Sequence, residues 1–286
     1  MAPRDFDFIE RVAARLPLEP EHATPSPPTR QVDHWGNQTH SFHNDIAPAN
    51  DIHILDRRGM VDWSGARTPV MEEIRLIKRR VLRRAANADD SLGASSRLVL
   101  ITSARIGEGK TFTSCNLALS IALEEDYGVL LVDADITRQT ARRNFGIRST
   151  KGLVDLLIDP SLTLPEVLLP TDVPRLSILS AGTISERAPE LLASSRMRSL
   201  ADHLAARFPD RIIIFDSPPC LLSSDTPALA AHVGQALLVV EANKTQEHEI
   251  STSLQLISAC PDIWLVLNKA RLGRSAAYSG YGYGGY

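Results

Sequence analysis

The sequence predicts an α/β fold, a parallel sheet covered by helices on both faces, and three observations predict it. Six short aliphatic runs, Leu98 to Thr102, Val129 to Val132, Leu176 to Leu179, Ile212 to Phe215, Ala236 to Val240 and Ile263 to Leu267, are apolar without alternation, as strands buried on both faces are. Helical stretches, among them Thr111 to Leu123, Glu190 to Arg207 and Gln246 to Ala259, lie between the runs, and such alternation builds parallel sheets. The unusual residues fall where the runs end, and ligands of these folds bind at the carboxyl ends of the strands.

Ahead of the sheet, residues 1–67 are rich in Pro, His, Asn and Asp, with Pro20, Pro25, Pro27, Pro28 and Pro48 in the stretch Glu19 to Asn50. That composition predicts a flexible extension. Phe6, Ile9, Val12 and Leu16 fall at helical spacing and predict a short amphipathic helix at its start. From Thr68 the apolar positions Met71, Ile74, Ile77 and Val81 recur every three or four residues among basic ones, which predicts a helix with one apolar stripe. It opens a folded domain over 68–274.

The first strand runs into Ser103-Ala104-Arg105-Ile106-Gly107-Glu108-Gly109-Lys110-Thr111 before a helix opens. Strand, glycine loop and helix N-terminus form a phosphate cradle: backbone amides wrap the phosphates, Lys110 reaches the outer ones, and the Thr111 hydroxyl can ligate magnesium. The candidate nucleotide contacts are Arg105, Ile106, Gly107, Glu108, Gly109, Lys110, Thr111 and Phe112. Ala104 stands where the usual first glycine of this P-loop pattern would be. The second strand, placed beside the first, ends in Asp133-Ala134-Asp135, two carboxylates suited to holding magnesium and to taking a proton from an attacking hydroxyl. A single Asp there would read as a helix cap. The fourth strand carries Ile212-Ile213-Ile214-Phe215 into Asp216-Ser217-Pro218-Pro219, the form of a Walker B carboxylate that orients magnesium. Asn268, at the end of the last strand, is a candidate contact to the base or sugar, with Lys269 beside it and capping as the alternative role.

Ser275 to Tyr286 is uncharged and holds four of the five tyrosines, Tyr278, Tyr281, Tyr283 and Tyr286, separated by Gly280, Gly282, Gly284 and Gly285. Backbone entropy predicts a mobile, exposed tail over 275–286. Composition excludes other classes. With 31 Lys+Arg against 34 Asp+Glu the net charge is −3, so whole-chain attraction to nucleic acid is not expected. Cys115, Cys220 and Cys260 are odd in number and dispersed, which predicts buried thiols and no disulfide framework. No apolar run reaches the roughly 18 to 20 residues of a spanning helix, and no secretory leader is evident.

Gly-Glu-Gly-Lys-Thr, the Asp-Ala-Asp and Asp-Ser-Pro-Pro strand ends and the tyrosine-rich terminus together resemble the bacterial tyrosine kinases of exopolysaccharide synthesis, in particular the exosortase-associated autokinase branch, over Thr68 to Tyr286. The resemblance implies a P-loop NTPase fold of the partitioning-ATPase type and a cytoplasmic enzyme that uses ATP and Mg2+ to phosphorylate its own tyrosine cluster. It implies Lys110, Asp133, Asp135 and Asp216 as catalytic residues and Thr111, Asp133 and Asp216 as metal ligands. It further implies self-assembly into a ring, a membrane-embedded activator of the chain-length-regulator kind that brings the kinase to the inner membrane, control of polysaccharide export, and a phosphotyrosine phosphatase as a partner. Glu72, Arg75 and Lys78 resemble the family's oligomerisation motif, with Lys in place of the second Arg, and Lys lacks Arg's planar bidentate contact. The family's second-strand arginine stands one place late, as Arg138, so its role is not carried over. The rival is a partitioning ATPase acting as an ATP-switched scaffold; such proteins carry a lysine where this chain has Arg105, and they have no use for a phenol cluster.

Overall fold

The computed structural model describes residues 60–63, 65–86, 93–147 and 150–270. The proposed N-terminal helix, most of the proline-rich extension and Tyr278, Tyr281, Tyr283 and Tyr286 lie outside the described residues.

Helix α1, Pro69–Ala86, begins where Thr68 Oγ1 accepts the Met71 N–H at 3.3 Å, and Pro69 suits the first helical position because that N–H would be orphaned anyway. Its stripe buries Met71, Ile74, Val81 and Ala85. Each larger side chain contributes about 1.5–3 kcal/mol on burial, enough to hold a helix that would be marginal alone. Packing reaches back beyond the boundary drawn at Arg67: Met60 lies against the core, and the Val61 N–H donates to Asn116 Oδ1 at 2.8 Å.

A seven-stranded sheet follows, in the order β3-β4-β2-β5-β1-β6-β7. The strands are β1 Leu98–Ser103, β2 Gly128–Asp133, β3 Leu168–Pro170, β4 Leu176–Leu179, β5 Arg211–Asp216, β6 Gln235–Glu241 and β7 Ile263–Asn268. Side chains along β1, β2 and β4 are buried on both faces, as their largely aliphatic runs require. All pairings are parallel except β3 with β4. That three-residue antiparallel edge adds a strand to the expected parallel sheet, and it makes the predicted fourth strand β5. A correction matters more for the site. β2 does not lie beside β1, because β5 is inserted between them. The connection from β1 through α2, Lys110–Ala122, therefore crosses over β5.

Helix α2 is buried along nearly its whole length and packs between the sheet and α1. Short helices α3 Thr140–Asn144, α4 Leu153–Ile158 and α5 Leu164–Val167 connect β2 to β3. The predicted helix from Glu190 to Arg207 is two helices, α6 Ala188–Leu192 and α7 Ser195–Arg207. Ser194 separates them as the N-cap of α7, its hydroxyl accepting the Met197 N–H at 3.3 Å. Helix α8, Asp225–Ala230, leads into β6, and α9, Glu247–Leu256, joins β6 to β7. No helix among the described residues is long and apolar enough to cross a membrane.

Candidate active site

The carboxyl ends of β1, β5 and β2 lie side by side, with Asp133 and Asp216 in register on neighbouring strands and Asp216 in register with Ile101 of β1. Between β1 and α2 the chain turns through Gly107 at φ 86° and Gly109 at φ 105°, conformations that side chains oppose. A Cβ on Gly109 would also stand 2.0 Å from Asn268 Nδ2, so a side chain there would displace Asn268 as well as strain the backbone. Ala104, at the place of the missing first glycine, is fully buried and has a negative φ.

Lys110 and Thr111 open α2, both 8% exposed. The Lys110 ammonium lies 2.8 Å from Asp135 Oδ2 and 3.4 Å from Thr111 Oγ1. Asp135 is anchored in turn, its Oδ1 accepting the Arg138 N–H at 3.2 Å, while its own N–H reaches Asp133 Oδ1 at 3.3 Å. The Arg138 side chain is exposed. Asp216 accepts the Ser114 hydroxyl on Oδ1 at 2.9 Å, and its fully buried Oδ2 has no hydrogen-bond partner. Burial pushes the Asp216 carboxyl above the ordinary carboxylate range, opposed by the Lys110 charge and the hydroxyls of Thr111 and Ser114. The Thr111 hydroxyl makes no well-formed bond to Oδ2. Cys115, one turn into the same helix, is pushed well above its usual value by burial and then by the charges of Asp216 and Asp133, so it is an inert thiol and not a nucleophile.

The buried pair of Lys110 and Asp135 predicts a stability effect. Removing one member of such a pair costs about 3–5 kcal/mol, because the other is left buried and uncompensated. Asp216 still faces Lys110, so Asp135→Asn is expected near the lower bound, a Tm drop of roughly 6–12 °C for a domain of this size. A Tm within about 2 °C of the parent, by calorimetry without nucleotide, would mean the pair is not formed in solution.

The remaining sequence candidates divide into those brought to the loop and those directed elsewhere. Ile106 is exposed beside the loop and Phe112 is half-buried. Arg105 is half-exposed and pairs with Glu249 at 3.3 Å. The Glu108 side chain is buried, with Oε2 accepting the Arg105 N–H at 2.7 Å and Oε1 accepting the Thr245 hydroxyl. Asn268 lies against the loop, donating to the Glu108 carbonyl at 2.7 Å. On α1, Glu72 and Arg75 pair with each other at the surface. Lys78 turns inward instead, donating to the Ser120 carbonyl at 3.3 Å and pairing with Glu124. Sequence reasoning missed Ser114 and Asp225. The latter is 6% exposed, leaves Oδ1 without a hydrogen-bond partner, and has its carboxyl raised by burial first and by the charges of Asp135 and Glu190 next.

No protein-family model matches the chain. Among curated proteins it is similar to the tyrosine-protein kinase YwqD of Bacillus subtilis, 30% identical over 194 residues that cover 67% of this chain and 80% of the relative. It is 33% identical over 161 residues to the tyrosine-protein kinase ptk of Acinetobacter johnsonii, covering 56% of this chain but only 21% of that longer protein. Among solved structures it resembles the kinase domain of the Escherichia coli tyrosine kinase ETK, at TM-score 0.65 and 27% identity, over 78% of this chain and 86% of that one.

Proposed function

This chain belongs to the bacterial tyrosine-protein kinase family, and from that premise we propose that it transfers the γ-phosphoryl group of ATP to tyrosine hydroxyls, beginning with its own Tyr278, Tyr281, Tyr283 and Tyr286. The observation that carries the reading is the convergence of a phosphate-loop lysine and carboxylates from two neighbouring strands on one spot, with a buried carboxylate oxygen, Asp216 Oδ2, left unsatisfied. A buried carboxylate oxygen without a hydrogen-bond partner suits a bound cation. Thr111 and Asp216, with Asp133 alongside, would hold magnesium. Among the described residues no three of His, Cys, Asp or Glu are grouped to hold a metal by themselves, so its other ligands would come from phosphate oxygens and water. When bound, the ion neutralises charge on the phosphates.

The chain's own groups divide the task. Amides of the loop and the N-terminus of α2 bind the phosphates, and Lys110 exchanges Asp135 for their outer oxygens. Phosphoryl transfer asks mainly for alignment and charge neutralisation. The phenol oxygen bonds to phosphorus as the bond to the ADP oxygen breaks. A phenol of pKa about 10 keeps its proton at neutral pH, and Asp133 would accept it as the new bond forms. Twelve glycine-spaced residues span at most about 40 Å, which sets whether the tail serves its own site or a neighbour's. The chain's resemblance to the family supports a ring of like subunits, a membrane-embedded chain-length-regulator-type activator, a phosphatase and a role in exopolysaccharide export. Any ring contact through α1 falls to Glu72 and Arg75, because Lys78 is already committed within the chain. Each phosphate adds close to two negative charges, so a modified cluster would repel itself and loosen such a ring.

A chain ending at Arg274 tests the acceptor. It is expected to bind ADP within about twofold of the parent and to lose more than about nine-tenths of its phosphotyrosine by intact mass. The fifth tyrosine, Tyr127, is half-buried against the core and a poor substitute. Undiminished phosphotyrosine in the shortened chain would sink the tail assignment. Free phosphate with no phosphotyrosine from the full chain would instead mark an ATP-switched scaffold.

A further inference from the structure

The phosphate loop is held from outside by the ends of two strands that contribute no carboxylate to the site. Asn268 Nδ2 donates to the Glu108 carbonyl at 2.7 Å, and Lys269 Nζ donates to the Gly107 carbonyl at 2.6 Å. The same ammonium lies 3.0 Å from Glu241 Oε2 at the end of β6. Thr245 completes the attachment, its hydroxyl donating to the buried Glu108 carboxylate and accepting the Glu241 N–H at 2.9 Å. Lys269 adopts a left-handed φ of 59° to make its contact, a conformation unusual for a residue with a side chain.

The direction of these bonds has a consequence through peptide geometry. In a planar trans peptide the C=O and the following N–H point opposite ways. A Gly107 carbonyl pinned to Lys269 turns the Glu108 N–H the opposite way, and a Glu108 carbonyl pinned to Asn268 does the same for the Gly109 N–H. Those are amides with which a loop of this kind cradles phosphate.

We propose that Lys269 and Asn268 are positioning residues, a latch that aims the Glu108 and Gly109 amides at the nucleotide's phosphates without touching the nucleotide. The proposal rests on the nucleotide-site reading above and assigns Asn268 to the loop instead of the base. Lys269 is 45% exposed at its side chain, so screening reduces its contribution below that of a buried charged bond.

The test uses the full chain and titrates Mg-ADP and Mg-GDP by calorimetry against Lys269→Met, Asn268→Ala, the double variant and Lys269→Arg, with a Tm for each. Each single loss is expected to weaken ADP about three- to tenfold and the double variant more, with GDP falling in proportion and Lys269→Arg restoring at least half of the loss. Tm should stay within a few degrees. Unchanged affinity in the double variant overturns the latch. So does a loss that tracks falling Tm and is not rescued by Arg, since that marks a structural role only. A fall in ADP binding with GDP untouched in Asn268→Ala returns that residue to the base. If the parent itself binds neither nucleotide, the site reading fails first and the latch with it.

Discussion

The Lys110→Ala protein is expected to form phosphotyrosine at less than about one hundredth of the parent rate, as when a preorganised donor to developing charge is removed. Lys110 is the cation that the buried Asp135 and Asp216 both face, and the helix that carries it cannot supply another from the same turn. Loss of activity alone would be ambiguous, because the substitution also strands Asp135 in a buried site, with the several-kcal/mol penalty that entails. The variant Lys110→Ala combined with Asp135→Asn removes both charges. It is expected to regain most of the lost Tm and to remain inactive. Phosphotyrosine persisting on the tail in either protein, by mass spectrometry after incubation with Mg-ATP, would remove the assigned chemistry.

What could be read in advance followed from how local each signal was. β4 is found where its aliphatic run lies, Leu176–Leu179, because a strand buried on both faces leaves apolar residues at odd and even positions alike, here with Ser177 as the one polar member. The order of strands has no such local mark: β5 separates β1 from β2 through pairings that join residues more than eighty positions apart. β3 escaped because three residues make no run, and its Pro170 suits only an edge. The loop from Gly107 to Thr111 was legible because glycines, lysine and a helix start coincide. Ser114 was not, since its value depends on Asp216, which lies 102 positions away. Lys78 could have been placed, for it stands four residues after Ile74 and three before Val81, on the buried stripe of α1. That spacing fits its inward bonds better than a surface role.

Asp216→Asn is expected to separate stability from function in opposite directions. Burial raises the Asp216 carboxyl, so the folded chain holds that proton more tightly than the unfolded one does. The sign follows: native stability falls as pH rises from the ordinary carboxylate range through the raised value, and above it the buried charge is a standing cost. Asparagine keeps the shape and can still accept the Ser114 hydroxyl, but it carries no charge. Without magnesium or nucleotide the variant should therefore be at least as stable as the parent at neutral pH, and the difference should vanish once the medium is acid enough to protonate the parent's carboxyl in both states. Function should move the other way, with phosphotyrosine formation falling by about a hundredfold or more. In the parent, magnesium and a proton compete for one carboxylate, so the affinity for Mg-ADP should decline on acidification from above the usual carboxylate range and should lose that dependence in the variant. Thermal unfolding across pH, beside calorimetry with Mg-ADP, checks both halves. An asparagine variant that melts well below the parent at neutral pH while binding Mg-ADP unchanged would make Asp216 a structural residue and leave the metal without its principal protein ligand.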